Sequence, residues 1–78
     1  MKRVRSVKIE IIIENKKTQN FIEKIIKEYK LKKDNGDYSI ENKKFILFNN
    51  NQYRFTEIRN EVFRKKIKYE EFEEMVTI

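Results

Sequence analysis

Apolar and polar residues alternate through the first part of the chain. Residues 4–14 place four β-branched residues on one side of an extended backbone, namely Val7, Ile9, Ile11 and Ile13. Polar residues occupy most of the other side. A period of two with β-branched residues predicts a strand with one buried face.

A helical pattern follows over residues 18–33. Its apolar residues recur at spacings of three and four, so they lie along one stripe of a helix. The stripe consists of Phe21, Ile22, Ile25, Ile26 and Tyr29. Thr18 is the predicted N-cap, and Asn35-Gly36 is the predicted end because both residue types tolerate a left-handed backbone.

Three short segments, 38–41, 44–48 and 53–57, predict an antiparallel meander with turns at Asn42-Lys43 and 49–52. Pairing the last two segments assigns one sheet face to the core, with Ile46, Phe48, Tyr53 and Phe55. The opposite face then holds Phe45, Leu47, Arg54 and Thr56. We therefore expect Phe48 to be buried together with Ile11 and Ile25.

The C-terminal third is predicted to be mostly helix over residues 57–74. Its apolar residues follow a heptad-like spacing, namely Ile58, Val62, Tyr69, Phe72 and Val76. On one such helix Phe63 and Ile67 would lie exposed on the opposite side. The alternative is a break near Lys65–Lys66, with Phe63, Ile67 and Tyr69 alternating in an edge strand.

These elements predict a two-layer α+β fold over residues 1–78, a single domain. The sheet is expected to be small and antiparallel or mixed. The expected order is strand, helix, three-strand meander, helix.

Composition excludes several classes of function. The chain has no cysteine and no histidine, so disulfides, zinc-finger sites and histidine-based acid–base catalysis are ruled out. No glycine-rich phosphate loop exists, because Gly36 is the only glycine. We expect a binding protein rather than an enzyme, with no cofactor and no metal site.

The apolar stretches also exclude a membrane protein. None approaches the ~20 residues of a membrane-spanning helix. Lys8 and Glu10 interrupt the apolar stretch near the start, so we expect no signal peptide and a cytoplasmic location.

The composition has a second consequence. Alanine and proline are absent while Lys, Asn, Ile and Glu abound, a bias typical of AT-rich codons. It indicates a low-GC host, or a phage or mobile element living in one.

The formal net charge of +6 favours a polyanionic partner. The expected partner is a nucleic acid or a nucleoprotein complex. The candidate phosphate-binding residues are Lys2, Arg3, Arg5, Arg54, Arg64, Lys65, Lys66 and Lys68. The last four of these form the basic run Arg64–Lys68, interrupted only by Ile67.

A protein partner is the alternative. The chain would then be an inhibitor or adaptor that blocks a host defence complex, in the manner of an anti-CRISPR protein. The candidate contact residues for such a partner are Phe45, Tyr53, Phe63 and Ile67. Phe63 and Ile67 also suggest self-association as a homodimer, and Tyr53 or Phe45 could instead stack on bases.

Overall fold

The computed structural model describes residues 2–77, with the side chains of residues 7–73 described. Six elements follow one another along the chain. They are β1 (Lys2–Ile12), α1 (Lys16–Glu28), β2 (Tyr38–Glu41), β3 (Lys44–Phe48), α2 (Gln52–Arg64) and β4 (Tyr69–Thr77).

The strands form one antiparallel sheet in the order β2-β3-β1-β4. With a helix between β1 and β2 and another between β3 and β4, this is the split β-α-β arrangement. Both helices bury their apolar residues in one core with one face of the sheet. The predicted two-layer α+β fold is therefore confirmed. Within residues 2–77 no element covers the other sheet face.

β1 carries the centre of the core, as its alternation predicts. Ile9 and Ile11 are fully buried, whereas Ile12 is exposed on the other face. β1 pairs with β3 on one side and with β4 on the other. A register shift between Ser6 and Lys8 interrupts the β4 ladder.

The β2–β3 hairpin turns at Asn42-Lys43, as expected. Both residues have positive φ angles, 49° and 61°, as a two-residue turn of type I′ requires. The predicted core face of β3 is wrong. Phe45 and Leu47 are buried because they lie opposite Ile11 and Ile9 of β1, while Phe48 remains 37% exposed.

α1 buries the predicted stripe, with Phe21, Ile22 and Ile25 in the core. Its N-cap is Asn15 rather than Thr18: the Asn15 Oδ1 accepts a hydrogen bond from the Thr18 backbone N–H at 2.9 Å. The helix also ends earlier than predicted. Tyr29 is its C-cap, and Lys30 turns the chain with a φ of 54°.

Residues 53–57, predicted to be a strand, form the first turns of α2. Asn51 caps this helix, accepting a hydrogen bond from the Arg54 N–H at 3.1 Å. Phe55, Ile58 and Val62 are buried at spacings of three and four. The apolar residues of 53–62 thus recur with the period of a helix rather than with the alternation of a strand.

The prediction of one helix over residues 57–74 is also wrong. α2 ends at Arg64, Lys65 is its C-cap, and Lys66 has a φ of 57°. The alternative of a break at Lys65–Lys66 followed by an edge strand is confirmed for the break and for Tyr69, which begins β4. Phe63 instead stays in α2 and Ile67 lies in the loop before β4. Among the described residues, neither helix has the length and apolar character needed to cross a membrane.

Candidate nucleic-acid interface

The end of α2 and the loop between α2 and β4 present the basic run Arg64–Lys68 at one end of the fold. Two backbone hydrogen bonds tighten the loop, from the Lys66 N–H to the Phe63 carbonyl and from the Ile67 N–H to the Val62 carbonyl, both 3.1 Å. The Ile67 side chain packs against the core. This anchor leaves the four basic side chains of the run exposed.

The part of α1 from Lys17 to Lys24 lies beside this loop. Shallow depressions between the two segments are lined on the α1 side by Lys17 and Lys24, and on the loop side by Lys65. Phe21 and Ile67 also contribute to this surface. We call it the basic groove, and its cations are Lys17, Lys24, Arg64, Lys65, Lys66 and Lys68.

Positive charge dominates the basic groove. Its six cations share the surface with two carboxylates, those of Glu14 and Glu61. No ion pair joins any of the six to another described residue. Their charges are therefore available to an anionic partner.

Glu61, one of the two carboxylates of the basic groove, is also held by a hydrogen bond within the protein. The Tyr29 hydroxyl donates a hydrogen bond to the Glu61 Oε2 at 3.2 Å. Burial and the neighbouring Glu61 carboxylate raise the pKa of Tyr29 to about 12. Tyr29 therefore stays protonated at neutral pH and continues to hold Glu61 towards α1.

Sequence reasoning missed Lys17 and Lys24. Lys17 and Lys24 precede Lys65 by 48 and 41 residues in the sequence, and no local pattern distinguishes them from the other lysines. Only the packing of α1 beside the α2–β4 loop brings them to Lys65.

Arg54, another predicted phosphate-binding residue, lies outside the basic groove. It occupies the first turn of α2, whereas the groove lies at the end of that helix. The Arg54 Nη2 is 3.0 Å from the Oδ1 of Asp37, a carboxylate that is almost fully buried. Its guanidinium thus serves a contact inside the protein.

The N-terminal basic residues do not join the basic groove either. The side chains of Lys2, Arg3 and Arg5 lie outside the described residues, but the backbone register places Arg5 opposite Glu74 of β4. Ile11 lies opposite Tyr69, at the groove end of the same ladder. Eight residues separate Arg3 from Ile11, a distance of roughly 27 Å along a strand. The two predicted basic clusters are thus at opposite ends.

The predicted partner-contact residues separate in the same way. Phe45 is fully buried, so its assignment to a contact surface is wrong. Ile67 is half-buried against the core, so it does not form an exposed pair with Phe63. Tyr53 and Phe63 are 86% and 71% exposed, at opposite ends of α2.

The uncovered face of the sheet holds residues that the sequence did not indicate as contact residues. Phe48 and Phe72 both lie opposite Lys8, one on each neighbouring strand. The Lys8 Nζ lies 4.9 Å from the centre of the Phe72 ring. Glu10 pairs with Lys8 and Lys44 at 3.3 and 3.1 Å; the hydrogen bond from Lys44 is the main cause of a lowered Glu10 pKa. This face mixes both charges with apolar surface.

Comparisons of the chain with models of protein families, with curated proteins and with solved structures find no match. The side chains that this fold brings together are therefore the basis for inferring its function.

Proposed function

We propose that this chain is a small, non-catalytic protein that binds nucleic acid, free or within a nucleoprotein complex, through the basic groove. One observation carries the proposal: cations from two distant segments, α1 and the α2–β4 loop, converge on one surface without ion-pair partners among the described residues. The AT-rich codon bias supports an origin in a low-GC host or one of its mobile elements.

The physical basis is the release of counterions. A phosphate backbone carries condensed cations, and each phosphate neutralised by a lysine or arginine releases some of them. Lys17 and Lys24 are seven residues apart on α1, about 10 Å along the helix axis. With the loop lysines beside them, they offer an array of charges rather than a single point. Such an array suits a polyanion better than a small anion.

The test measures how binding depends on salt. A fluorescently labelled oligonucleotide of about 20 nucleotides, as single-stranded DNA, RNA or duplex, is titrated with protein at several salt concentrations. We expect affinity to fall steeply with salt, by about 0.9 units of log–log slope per phosphate contacted on a duplex.

Two double variants examine the two sides of the groove. Lys65→Gln with Lys66→Asn should flatten the slope by about two units, since two phosphate contacts are removed. Asn suits the left-handed backbone at Lys66. Lys17→Gln with Lys24→Gln should have a similar effect, although these residues are remote in the sequence.

The matched control is Lys32→Gln with Lys33→Gln, which removes the same charge from exposed positions outside the groove. An equal loss in the control would mean that only net charge matters. Binding to heparin as tight as to any oligonucleotide would reduce the interaction to nonspecific charge. No binding near physiological salt would refute the proposal.

A second candidate is a protein inhibitor or adaptor that blocks a host defence complex by direct contact, as an anti-CRISPR protein does. The large exposed area of Tyr53 and Phe63 favours it, because exposed aromatics are typical of contact sites between proteins. Capture of partners from a low-GC host lysate, with and without nuclease, separates the two. Partners that survive nuclease treatment support the protein contact.

A further inference from the structure

β4 is an unusually open edge of the sheet. It spans nine residues, from Tyr69 to Thr77, and pairs with β1 along one side only. Within residues 2–77 no strand pairs with its outer side. The opposite edge, β2, has only four residues. A long free edge presents a row of peptide N–H and C=O groups that another strand can satisfy.

An exposed phenylalanine flanks this edge on each side of the sheet. Phe72 belongs to β4 itself, points to the uncovered face and is 40% exposed. Phe63, 71% exposed, lies on the helix side.

The contact between Arg59 and Glu71 locates Phe63. Arg59 Nη1 lies 3.3 Å from Glu71 Oε2, so this face of α2 is turned towards β4. Phe63 is four residues after Arg59, on the same face and about 6 Å further along the helix. Tyr69 is two residues before Glu71, also about 6 to 7 Å along the strand. Phe63 is therefore expected beside the start of β4.

The charge of β4 indicates which kind of strand can pair with its outer edge. Residues 69–77 contain four glutamates and no basic residue, in a chain whose net charge is +6. Glu70 and Glu73 are exposed. Pairing of β4 with β4 of a second copy would bring eight glutamates into one ribbon, and like charges on neighbouring strands repel. A basic strand would meet attraction instead.

We propose that the outer edge of β4 binds an extended, basic segment of a partner protein by strand addition. Backbone hydrogen bonds to β4 hold the segment, Glu70 and Glu73 attract its cationic side chains, and Phe63 and Phe72 cover its apolar ones on the two faces. This surface is separate from the basic groove and does not depend on nucleic-acid binding.

The probe is a capped peptide of about nine residues in which lysine alternates with valine, long enough to pair with all of β4. A second peptide of equal charge carries proline at two valine positions, because proline lacks the N–H that pairing needs. Binding is followed by titration calorimetry and by amide hydrogen exchange of the native chain. We expect the first peptide to bind and to slow exchange at alternate amides of β4, and the proline peptide to do neither.

Variants of the chain supply the second arm. Glu70→Lys with Glu73→Lys should weaken peptide binding about tenfold at low salt, since two attractive charges become repulsive. The matched control, Glu23→Lys with Glu41→Lys, makes the same change in net charge at exposed positions away from β4 and from the basic groove and should leave binding unchanged. If the first variant does not fold, hydrogen exchange of the native chain still tests whether the peptide pairs with β4.

Four results would overturn the proposal. The proline peptide could bind as tightly as the lysine–valine peptide, which would show charge attraction without pairing. The lysine–valine peptide could leave β4 amides unprotected. The chain alone could form a dimer that protects β4, making a second copy the occupant. Finally, an oligonucleotide rather than the peptide could protect β4 and depend on Phe72, making a nucleic acid the occupant.

Discussion

Asp37 is the residue whose replacement tests the structure most severely. It lies before β2 and is buried, with a relative exposure of 6%. Its carboxylate accepts hydrogen bonds from the Lys32 N–H at 2.9 Å, from the Asn50 Nδ2 at 2.9 Å and from the Arg54 Nη2 at 3.0 Å. These bonds join the α1–β2 loop to the turn before α2 and to α2 itself.

The cost of Asp37→Asn follows from this geometry. One carboxylate oxygen serves Lys32 and the other serves both Asn50 and Arg54. An amide has one oxygen and one NH₂ group, so in either orientation it turns a donor towards another donor. The loss of a charged acceptor and the unpaired partner together cost about 2–4 kcal/mol. A domain of this length has about 4–12 kcal/mol in total.

The assay is urea unfolding monitored by circular dichroism. With a slope of about 1 kcal/mol per molar urea, a loss of this size lowers the midpoint by roughly 2 M or more. The matched control is Asp34→Asn in the same loop, an exposed position where the change should stay within about 0.5 kcal/mol.

The effect should also depend on pH in one direction. The hydrogen bond from Asn50, followed by that from the Lys32 backbone, holds the pKa of Asp37 below its ordinary value of 3.8. Its stabilisation is therefore complete above pH 3.8 and is lost as the pH falls through the lowered pKa of the folded state. The difference between the native chain and Asp37→Asn should shrink in acid. A loss below about 1 kcal/mol at neutral pH, or a difference unchanged in acid, would refute the role of Asp37.

Three further predictions concern the core and the surface, and the first two are measured by the same unfolding assay. Ile11→Ala and Ile25→Ala should each cost about 2–5 kcal/mol because both side chains are fully buried; losses under about 1 kcal/mol would contradict their placement. Phe45→Ala should cost about 3–5 kcal/mol and clearly more than Phe48→Ala; the reverse order would mean that β3 faces the other way. Phe63→Glu should leave the circular dichroism spectrum unchanged while weakening a dimer or a complex with a partner protein. Unfolding of this variant would instead place Phe63 in the core.

Local patterns determined the elements whose apolar residues recur with a regular period or whose ends carry a clear turn signal. The alternation around Ile9 and Ile11 predicted β1, and the stripe from Phe21 to Tyr29 predicted α1. The β2–β3 hairpin was also predicted with its bounds and turn. Periods of two and 3.6 are set by the backbone, so they can be recognised without knowing what covers them.

The segment Tyr53–Glu57 shows where local patterns are insufficient. Its aromatic and β-branched residues favour a strand, yet the spacing of Phe55, Ile58 and Val62 fits a helix once Asn51 is its cap. Because the supposed hairpin partner of β3 was absent, the faces of β3 were assigned in reverse. Pairing with β1, a contact between distant segments, decided that Phe45 and Leu47 face the core.

Tertiary structure also determined that residues 69–77 form a strand, β4, rather than a helix. Tyr69 and Phe72 continue the heptad-like spacing of Ile58 and Val62, so a helix satisfied the pattern. In the folded protein the outer side of β1 needs a strand partner for its peptide groups, and residues 69–77 fill that place. This pairing is not encoded in any local window of the sequence.

The candidate site shows the same division. The sequence by itself identified the cations of Arg64–Lys68 as a local run, together with the absence of histidine and cysteine. Only the fold shows that Lys17 and Lys24 lie beside that run. It also shows that Arg54 forms an ion pair with Asp37 and that Arg5 lies towards the other end of the sheet. The physical reason is that a sequence specifies which side of each element is apolar, whereas the packing of those sides against one another determines which distant charges become neighbours.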